Sequence, residues 1–238
     1  MTSMIRLDKY LADIGIGSRS EVKKYIKKGQ VKVDNQLIKD IGYKVNLDKE
    51  KVYFDNNLLE YNKYIYLMLN KPAGVVSATR DNVHKTVIDL IDKKYQKNIF
   101  PVGRLDIDTE GLLLITNDGQ LAHDLLSPKK KIPKTYYVKV QGQVTNKEVK
   151  EFENGLIIDD NFTALPAKLE ILESGQVSKV NVTIYEGKFH QVKRMFEAVG
   201  MKVIYLKRIS MASLELDKNL EISSYRQLTD DEIRKLKT

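Results

Sequence analysis

The sequence predicts an α+β protein, and three observations carry that prediction. Strand-like and helix-like segments are interspersed without regular βαβ repetition. Hydrophobic residues make up 42% of the 238 positions, enough to build a core. The chain is about one and a half typical domains long, which admits one large domain or two unequal ones. Residues 4 to about 60 read as a separate unit.

Residues 6–12 suit a short helix, with Leu7 and Leu11 on one face, and Gly15 and Gly17 break the pattern. Ser18 and Glu21 form a capping box, in which each side chain satisfies an orphan backbone N–H. The helix it opens runs over residues 19–28 and stops at Gly29. Val22 and Ile26 are its apolar side; Lys23, Lys24, Lys27 and Lys28 cover the rest. Val31 and Val33 then alternate with Lys32, and Asp34-Asn35 marks a turn. A linker over residues 56–63 separates a first domain, 1–60, from a second, 64–238. In the second, residues 64–69 read as a strand ended by Asn70-Lys71-Pro72-Ala73-Gly74. Residues 99–102, 112–116, 136–140, 180–185 and 203–209 read as further strands, and Asn117-Asp118-Gly119 as a turn. Helices are expected over 120–126, 147–153 and 189–199, and Thr229 with Glu232 caps a last one.

Charge and composition narrow the function. Lys plus Arg is 40 against 32 Asp plus Glu, a net +8 that suits either a soluble surface or a polyanionic partner. Residues 4–44 hold ten Lys and Arg against five Asp and Glu, so the lysine-rich helix is either a solvated face or a phosphate-tracking one. The absence of cysteine excludes disulfides, thiolate nucleophiles and iron–sulfur clusters. His84, His123 and His190 are scattered, which argues against a zinc hydrolase and leaves a carboxylate-held magnesium open. No apolar run approaches the roughly 18 residues that span a bilayer, and the N-terminus lacks a signal-type apolar core. A soluble, cytoplasmic protein is expected, with no membrane partner.

Three clusters could carry chemistry. Residues 103–111, GRLDIDTEG, pack Arg104 with Asp106, Asp108 and Glu110 between two apolar strands. Such a loop is either a turn with surface charges or a site where a carboxylate is nucleophile or acid/base group and the arginine a phosphate or base contact. Residues 186–194, EGKFHQVKR, set Lys188, His190, Lys193 and Arg194 at a helix start, where free N–H groups favour anions. Val192, Phe196 and Val199 make the same helix amphipathic. In residues 129–138, lysines precede Tyr136 and Tyr137, a pattern suited to phosphate contact and base stacking; only one tyrosine faces a given side.

GRLDIDTEGLLLITNDG, together with KTYYV, EGKFHQVKRMF, YLMLNKP and NKPAGVVSATRD, resembles the S4-domain family of ribosomal-RNA pseudouridine synthases. RLDKYLADIGIGSRSEVKKYIKKGQVKVD resembles the S4 RNA-binding module itself. The resemblance spans about residues 4–235 in the family's order. It implies an S4-like domain followed by a catalytic domain with a mixed, mainly antiparallel bent sheet flanked by helices. It also implies isomerisation of uridine to pseudouridine with the base flipped out, and no cofactor or metal.

Residue by residue, the resemblance makes Asp106 the catalytic aspartate, Tyr136 the residue that stacks on the flipped uracil, and Lys193 the basic residue that pairs with Asp106. Arg104 would hold RNA near the site, with Lys188 and Arg194. Arg6, Arg19, Lys23, Lys24 and Lys27 would serve the S4 module. Asp108 and Glu110 are expected to make loop hydrogen bonds, and His190 to be structural or RNA-facing. The HQVKRMF string is most like the small-subunit branch, which implies 16S ribosomal RNA as partner, uridine 516 in the usual numbering, on a partly assembled subunit. A monomer is expected. The rival readings are the same chemistry on 23S RNA, a non-catalytic S4-bearing assembly factor, and a base-removing glycosidase.

Overall fold

The capping box at Ser18 forms as its spacing predicts. Glu21 N–H donates to Ser18 Oγ at 3.3 Å, and Ser18 N–H donates to Glu21 Oε2 at 2.7 Å. In the computed structural model, which describes residues 4–59, 61, 64–96, 98–160 and 162–238, this box opens the second of two short helices. The order is β1 (Met4–Arg6), α1 (Leu7–Asp13), α2 (Arg19–Lys27), β2 (Val31–Val33), β3 (Gln36–Leu37), β4 (Lys44–Asn46), β5 (Val52–Phe54) and β6 (Asn57–Leu59). Arg6 is still extended and pairs with Lys44, so α1 starts one residue later than its periodicity predicts. Leu7, Leu11, Val22, Ile26, Val31 and Val45 close a dry core between helices and strands.

The expected linker needs correction. Asp55 and Asn56 both take positive φ, 46° and 67°. That is the backbone a tight hairpin turn demands, and it brings β6 back onto β5. Residues 57–59 are therefore strand; Glu60, Asn62 and Lys63, also assigned to the linker, lie outside the described residues, as do residues 1–3 of the N-terminal reading. The chain divides into two compact units, Met1–Tyr64 with Lys93–Lys97, and Ile65–Asp92 with Asn98–Thr238.

The second unit continues with β7 (Tyr66–Lys71), β8 (Phe100–Pro101), β9 (Glu110–Thr116), α3 (Gly119–Leu126), β10 (Lys134–Gln141) and α4 (Asn146–Asn154). β11 (Ile157–Asp159), β12 (Phe162–Thr163), β13 (Lys168–Glu173), β14 (Val177–Ile184), α5 (Gln191–Ala198), β15 (Lys202–Met211), β16 (Leu214–Glu215), β17 (Tyr225–Gln227) and α6 (Asp230–Lys237) follow. One sheet runs β13-β14-β10-β15-β9-β7-β17, with β16 added to β15 and β8 to β9. Every pairing is antiparallel except β15 with β9. The result is the α+β class that the sequence pattern predicts, with the mixed, mainly antiparallel sheet that the resemblance implies. No helix among the described residues is long and apolar enough to cross a membrane.

Three local readings change. β7 begins at Tyr66 and runs on through Asn70 and Lys71, which read as the strand's terminator, because both pair with β9. Asp118, assigned to a turn, is the N-cap of α3: its carboxylate accepts from Leu121 N–H at 3.1 Å and from the Tyr66 hydroxyl at 2.7 Å. The helix expected from residue 189 begins at Gln191, because His190 sits in the left-handed region (φ 50°, ψ 29°) and turns the chain first.

The sheet's register places the site. Val182, Tyr136, Arg208, Gly111 and Lys71 lie opposite one another on five neighbouring strands. The parallel junction between β15 and β9 is two residue pairs long and closes at Gly111. There φ is +100°, and a Cβ would lie 2.2 Å from the Arg208 carbonyl oxygen. Glycine is required at this position on both counts. Gly111→Ala should cost about 3 kcal/mol or more through strain and overpacking, read as a lowered midpoint in urea. An unchanged midpoint would mean that the junction is slack.

Candidate active site

Residues 103–109 form a loop whose backbone is tied down from three sides. Ser77 Oγ donates to the Leu105 carbonyl at 2.9 Å and accepts from Leu105 N–H at 3.0 Å. Gly74 N–H donates to the Ile107 carbonyl at 2.7 Å. Lys71, fully buried, reaches under the loop. Its Nζ donates to the carbonyls of Thr109 (2.8 Å), Pro72 (3.0 Å) and Asp106 (3.1 Å), and lies 3.4 Å from that of Ile107. Burial pulls the Lys71 ammonium down to about 8, against the attraction of the Asp108, Asp106 and Glu110 carboxylates.

This anchoring uses main-chain oxygens and leaves the Asp106 side chain free to face outward. Its carboxylate is 27% exposed, 3.4 Å from Lys193 Nζ and 3.7 Å from His190 Nε2. Lys193 and His190 come from the first turn and the N-cap of α5. Residues more than 80 positions apart in sequence thus meet at one point; the resemblance implies Lys193 there, and His190 joins it without being expected.

Lys193 is shared, which the sequence reading did not anticipate. Its Nζ donates to both Asp108 oxygens, at 2.7 and 2.9 Å, closer than to Asp106. Partial burial works against the Lys193 charge, but the hydrogen bond to Asp108 and the nearby Asp106 hold its pKa above the ordinary lysine value. Burial likewise opposes ionisation of Asp108, and Lys193 outweighs it, so its carboxyl sits below the usual range. Asp108 therefore serves the α5 cation. Glu110 lies in β9 rather than in the loop, and accepts from the Tyr205 hydroxyl at 2.6 Å. Burial, then Glu110, push that hydroxyl's pKa up.

Tyr136 is buried on β10, in register with Arg208; Tyr137 faces the other side and meets Tyr205 edge-on at 6.1 Å. Arg208 is also buried, and its Nε donates to the Leu112 carbonyl at 2.8 Å. Arg104 and Lys188 are exposed. Arg194 pairs with Asp159 and lies over the Phe162 ring. In the first unit, Arg19, Lys23, Lys24 and Lys27 are exposed along α2, whereas Arg6 is engaged by Asp8 at 2.9 Å. Lys134, within the basic run before the tyrosines, is buried and donates to the Ile132 carbonyl at 2.8 Å, so it is not available to RNA.

Sequence reasoning missed Lys71, Ser77, Arg208 and Tyr205. The readable signal for Lys71 is a charge closing an apolar run, YLMLNK; for Arg208 it is a cation inside the strand-like VIYLKRISM. Lys71→Met should cost about 3 kcal/mol, because it strands several buried carbonyls. It should also alter the pH dependence of stability. With a folded pKa of about 8 and an unfolded value of 10.5, wild-type Lys71 holds fewer protons folded than unfolded between those values, so its contribution rises with pH there. The wild-type-minus-variant difference in urea-unfolding free energy should grow from about pH 8 to about pH 10; a flat difference would mean that Lys71 is as well solvated as in the unfolded chain.

Comparison with known proteins gives the family. The RNA pseudouridylate synthase family matches residues 65–198, and the S4 domain family matches residues 5–50. An uncharacterised RNA pseudouridine synthase of Bacillus subtilis, YtzG, is 47% identical, covering 98% of each chain. The ribosomal large subunit pseudouridine synthase B of the same organism is 39% identical, over 98% of this chain and 96% of that one. The ribosomal small subunit pseudouridine synthase A of Haemophilus influenzae is 38% identical, over 98% and 99%. A crystal structure of a pseudouridylate synthase, 38% identical, superposes with a TM-score of 0.69 over 98% of this chain and 99% of the other. With both modules in order and the match running the length of the chain, this protein belongs to the RNA pseudouridylate synthase family and carries an S4 domain ahead of its synthase domain.

Proposed function

We propose that this enzyme isomerises one uridine of 16S ribosomal RNA, with Asp106 as the catalytic carboxylate and the target base flipped out of its helix. The observation that carries the reading is the Asp106 carboxylate itself. It is part-exposed on a loop whose backbone is fixed by a buried ammonium, and it faces Lys193 and His190. The reaction breaks the C1′–N1 bond, turns the base, and joins C5 to C1′; the proton lost from C5 is balanced by one gained at N1. Nothing is oxidised and nothing is released.

Lys193 sets a positive charge 3.4 Å from the carboxylate and limits its rotation. Tyr136 offers the flipped uracil an aromatic face, and such stacking offsets part of the few kcal/mol that flipping costs. Arg104, Lys188 and Arg194 hold the strand near the site. In the S4 module, the exposed α2 cations Arg19, Lys23, Lys24 and Lys27 track phosphates. Arg6 joins them only where RNA outcompetes Asp8. The expected setting is a monomer acting in the bacterial cytoplasm on a partly assembled small subunit.

The choice of 16S RNA, at uridine 516 in the usual numbering, rests on the HQVKRMF string and on a small-subunit relative that matches end to end. The large-subunit relative of similar identity favours a second reading, the same chemistry on 23S RNA. Pseudouridine mapping of 16S and 23S RNA, naked and in assembling particles, separates them. One new 16S site that Asp106→Ala abolishes is expected; a 23S site would move the target and keep the mechanism.

Two further outcomes probe the site. Lys193→Met should lower the single-turnover rate about 100-fold, as loss of a preorganised charge does. Asp108→Asn should cost about tenfold or less, since Lys193 then turns to Asp106 alone. The reverse ranking would make Asp108 the reacting carboxylate. In the S4 module, Lys23→Ala with Lys27→Ala should weaken RNA binding and flatten its salt dependence by about two phosphates' worth. Chemistry on saturating RNA should be unchanged; equal loss in both would place those lysines elsewhere in the mechanism.

A further inference from the structure

Beside Asp106 lies an aromatic pair with no role in the chemistry above. Phe189 is 72% exposed, and no other aromatic among the described residues is as open to solvent. Its ring stacks on that of His190, with centroids 3.8 Å apart and planes 19° from parallel. His190 in turn holds Nε2 3.7 Å from Asp106 Oδ1. The three groups stand in series: carboxylate, imidazole, phenyl ring.

The pair is built, not loose. His190 occupies the left-handed backbone region, an uncommon state for a non-glycine residue. The turn around it is pinned by Gln191, only 4% exposed. Gln191 Oε1 accepts from Lys188 N–H at 3.0 Å, and its Nε2 donates to Glu186 Oε1 at 3.0 Å. That same Glu186 oxygen accepts from Leu165 N–H at 2.9 Å. A buried amide thus fixes both ends of the segment that carries an exposed phenyl ring. Imidazole covers one ring face, and the exposure of the side chain leaves the other open.

We propose that Phe189, backed by His190, is a stacking shelf for one unpaired nucleobase adjacent to the target uridine, and so a positioning residue for the RNA. The proposal rests on Asp106 marking the point of reaction. A flat apolar ring, backed on one face and open on the other, suits a π-face of any base. Its place beside the carboxylate puts a stacked base next to the nucleotide that reacts. Lys188, exposed on the same turn, is positioned for the adjoining phosphate.

The test compares Phe189→Ala, Phe189→Leu and Phe189→Tyr with wild type, in equilibrium binding to 16S and 23S transcripts and in turnover of whichever is modified. Phe189→Ala and Phe189→Leu should raise Kd and KM about 5- to 100-fold. The rate at saturating RNA should stay within about two-fold, and Phe189→Tyr should restore binding. The slope of log K against log salt should not change, because no phosphate contact is lost. In short substrates, an abasic nucleotide at one flanking position should erase the difference between wild type and Phe189→Ala. Equal affinity of Phe189→Ala and wild type overturns the shelf. So does full binding by Phe189→Leu, which would indicate a merely apolar contact, or indifference to abasic flanks. Wild-type turnover with unaltered Phe189→Ala binding sinks the shelf alone. A wild type that binds RNA through Phe189 and forms no pseudouridine sinks the proposed function, and with it the shelf's place beside a target, while keeping Phe189 as a stacking contact.

Discussion

One buried ammonium organises the catalytic unit. Lys71 ends β7, the strand next to the edge of the sheet, and gathers the carbonyls of Pro72, Asp106 and Thr109. A buried lysine is costly, and the lowered pKa of Lys71 records that cost. Its neighbours offset it in two ways. Main-chain oxygens supply the solvation that water would, and the loop's carboxylates supply opposite charge. Because those bonds go to backbone, they fix the loop's path without occupying a single carboxylate. The junction at Gly111 is the geometric counterpart: β9 can lie against β15 only where no side chain intervenes. Together they place a loop of high charge density on a sheet that cannot slide beneath it.

The charges above that anchor are apportioned in a way the sequence does not reveal. Asp106, Asp108 and Glu110 fall within five residues and would repel one another if left alike. Each finds a different environment. Glu110 turns to the Tyr205 hydroxyl, Asp108 takes the closer hold on Lys193, and Asp106 keeps a longer contact with the same ammonium. Asp108 thus positions a cation beside Asp106 without that cation being fully spent on Asp106. A tighter Lys193–Asp106 pair would hold the carboxylate more firmly but would compete with substrate for it.

Much of this is legible in the sequence because it is local. The capping boxes at Ser18 and Thr229 announce their helices, and alternation in residues 180–184 announces β14. GRLDIDTEG draws notice because so much charge between apolar strands is unusual. What escapes notice is non-local. β17 is three residues long and exists by pairing with β7, from the far end of the chain, so no periodicity within it can be read. Lys71 looks like part of a strand terminator, since Asn-Lys-Pro-Ala-Gly has turn composition; only the folded loop supplies the carbonyls that let a lysine stay buried. The start of α5 falls later than the pattern suggests because Phe189 fits the helix's apolar spacing, and nothing in that spacing tells that His190 departs from helical backbone.

An isomerisation that releases nothing sets a demand that a hydrolysis does not. Once the C1′–N1 bond is broken, the proposed mechanism needs the base to stay in place and yet turn, so that C5 replaces N1. Directional hydrogen bonds to the base edge would favour one orientation and oppose the turn. Contact with an aromatic face has little preference for angle about the ring normal, so it retains the base while permitting rotation. In the proposed function that contact falls to Tyr136, whose place on β10 is held by its register with Arg208, itself fixed to the Leu112 carbonyl. Lys193 and His190 face the carboxylate instead, away from the part that turns. On this reading the site divides its work by the geometry of its forces, with non-directional stacking for the part that moves and charge-assisted contacts for the part that stays.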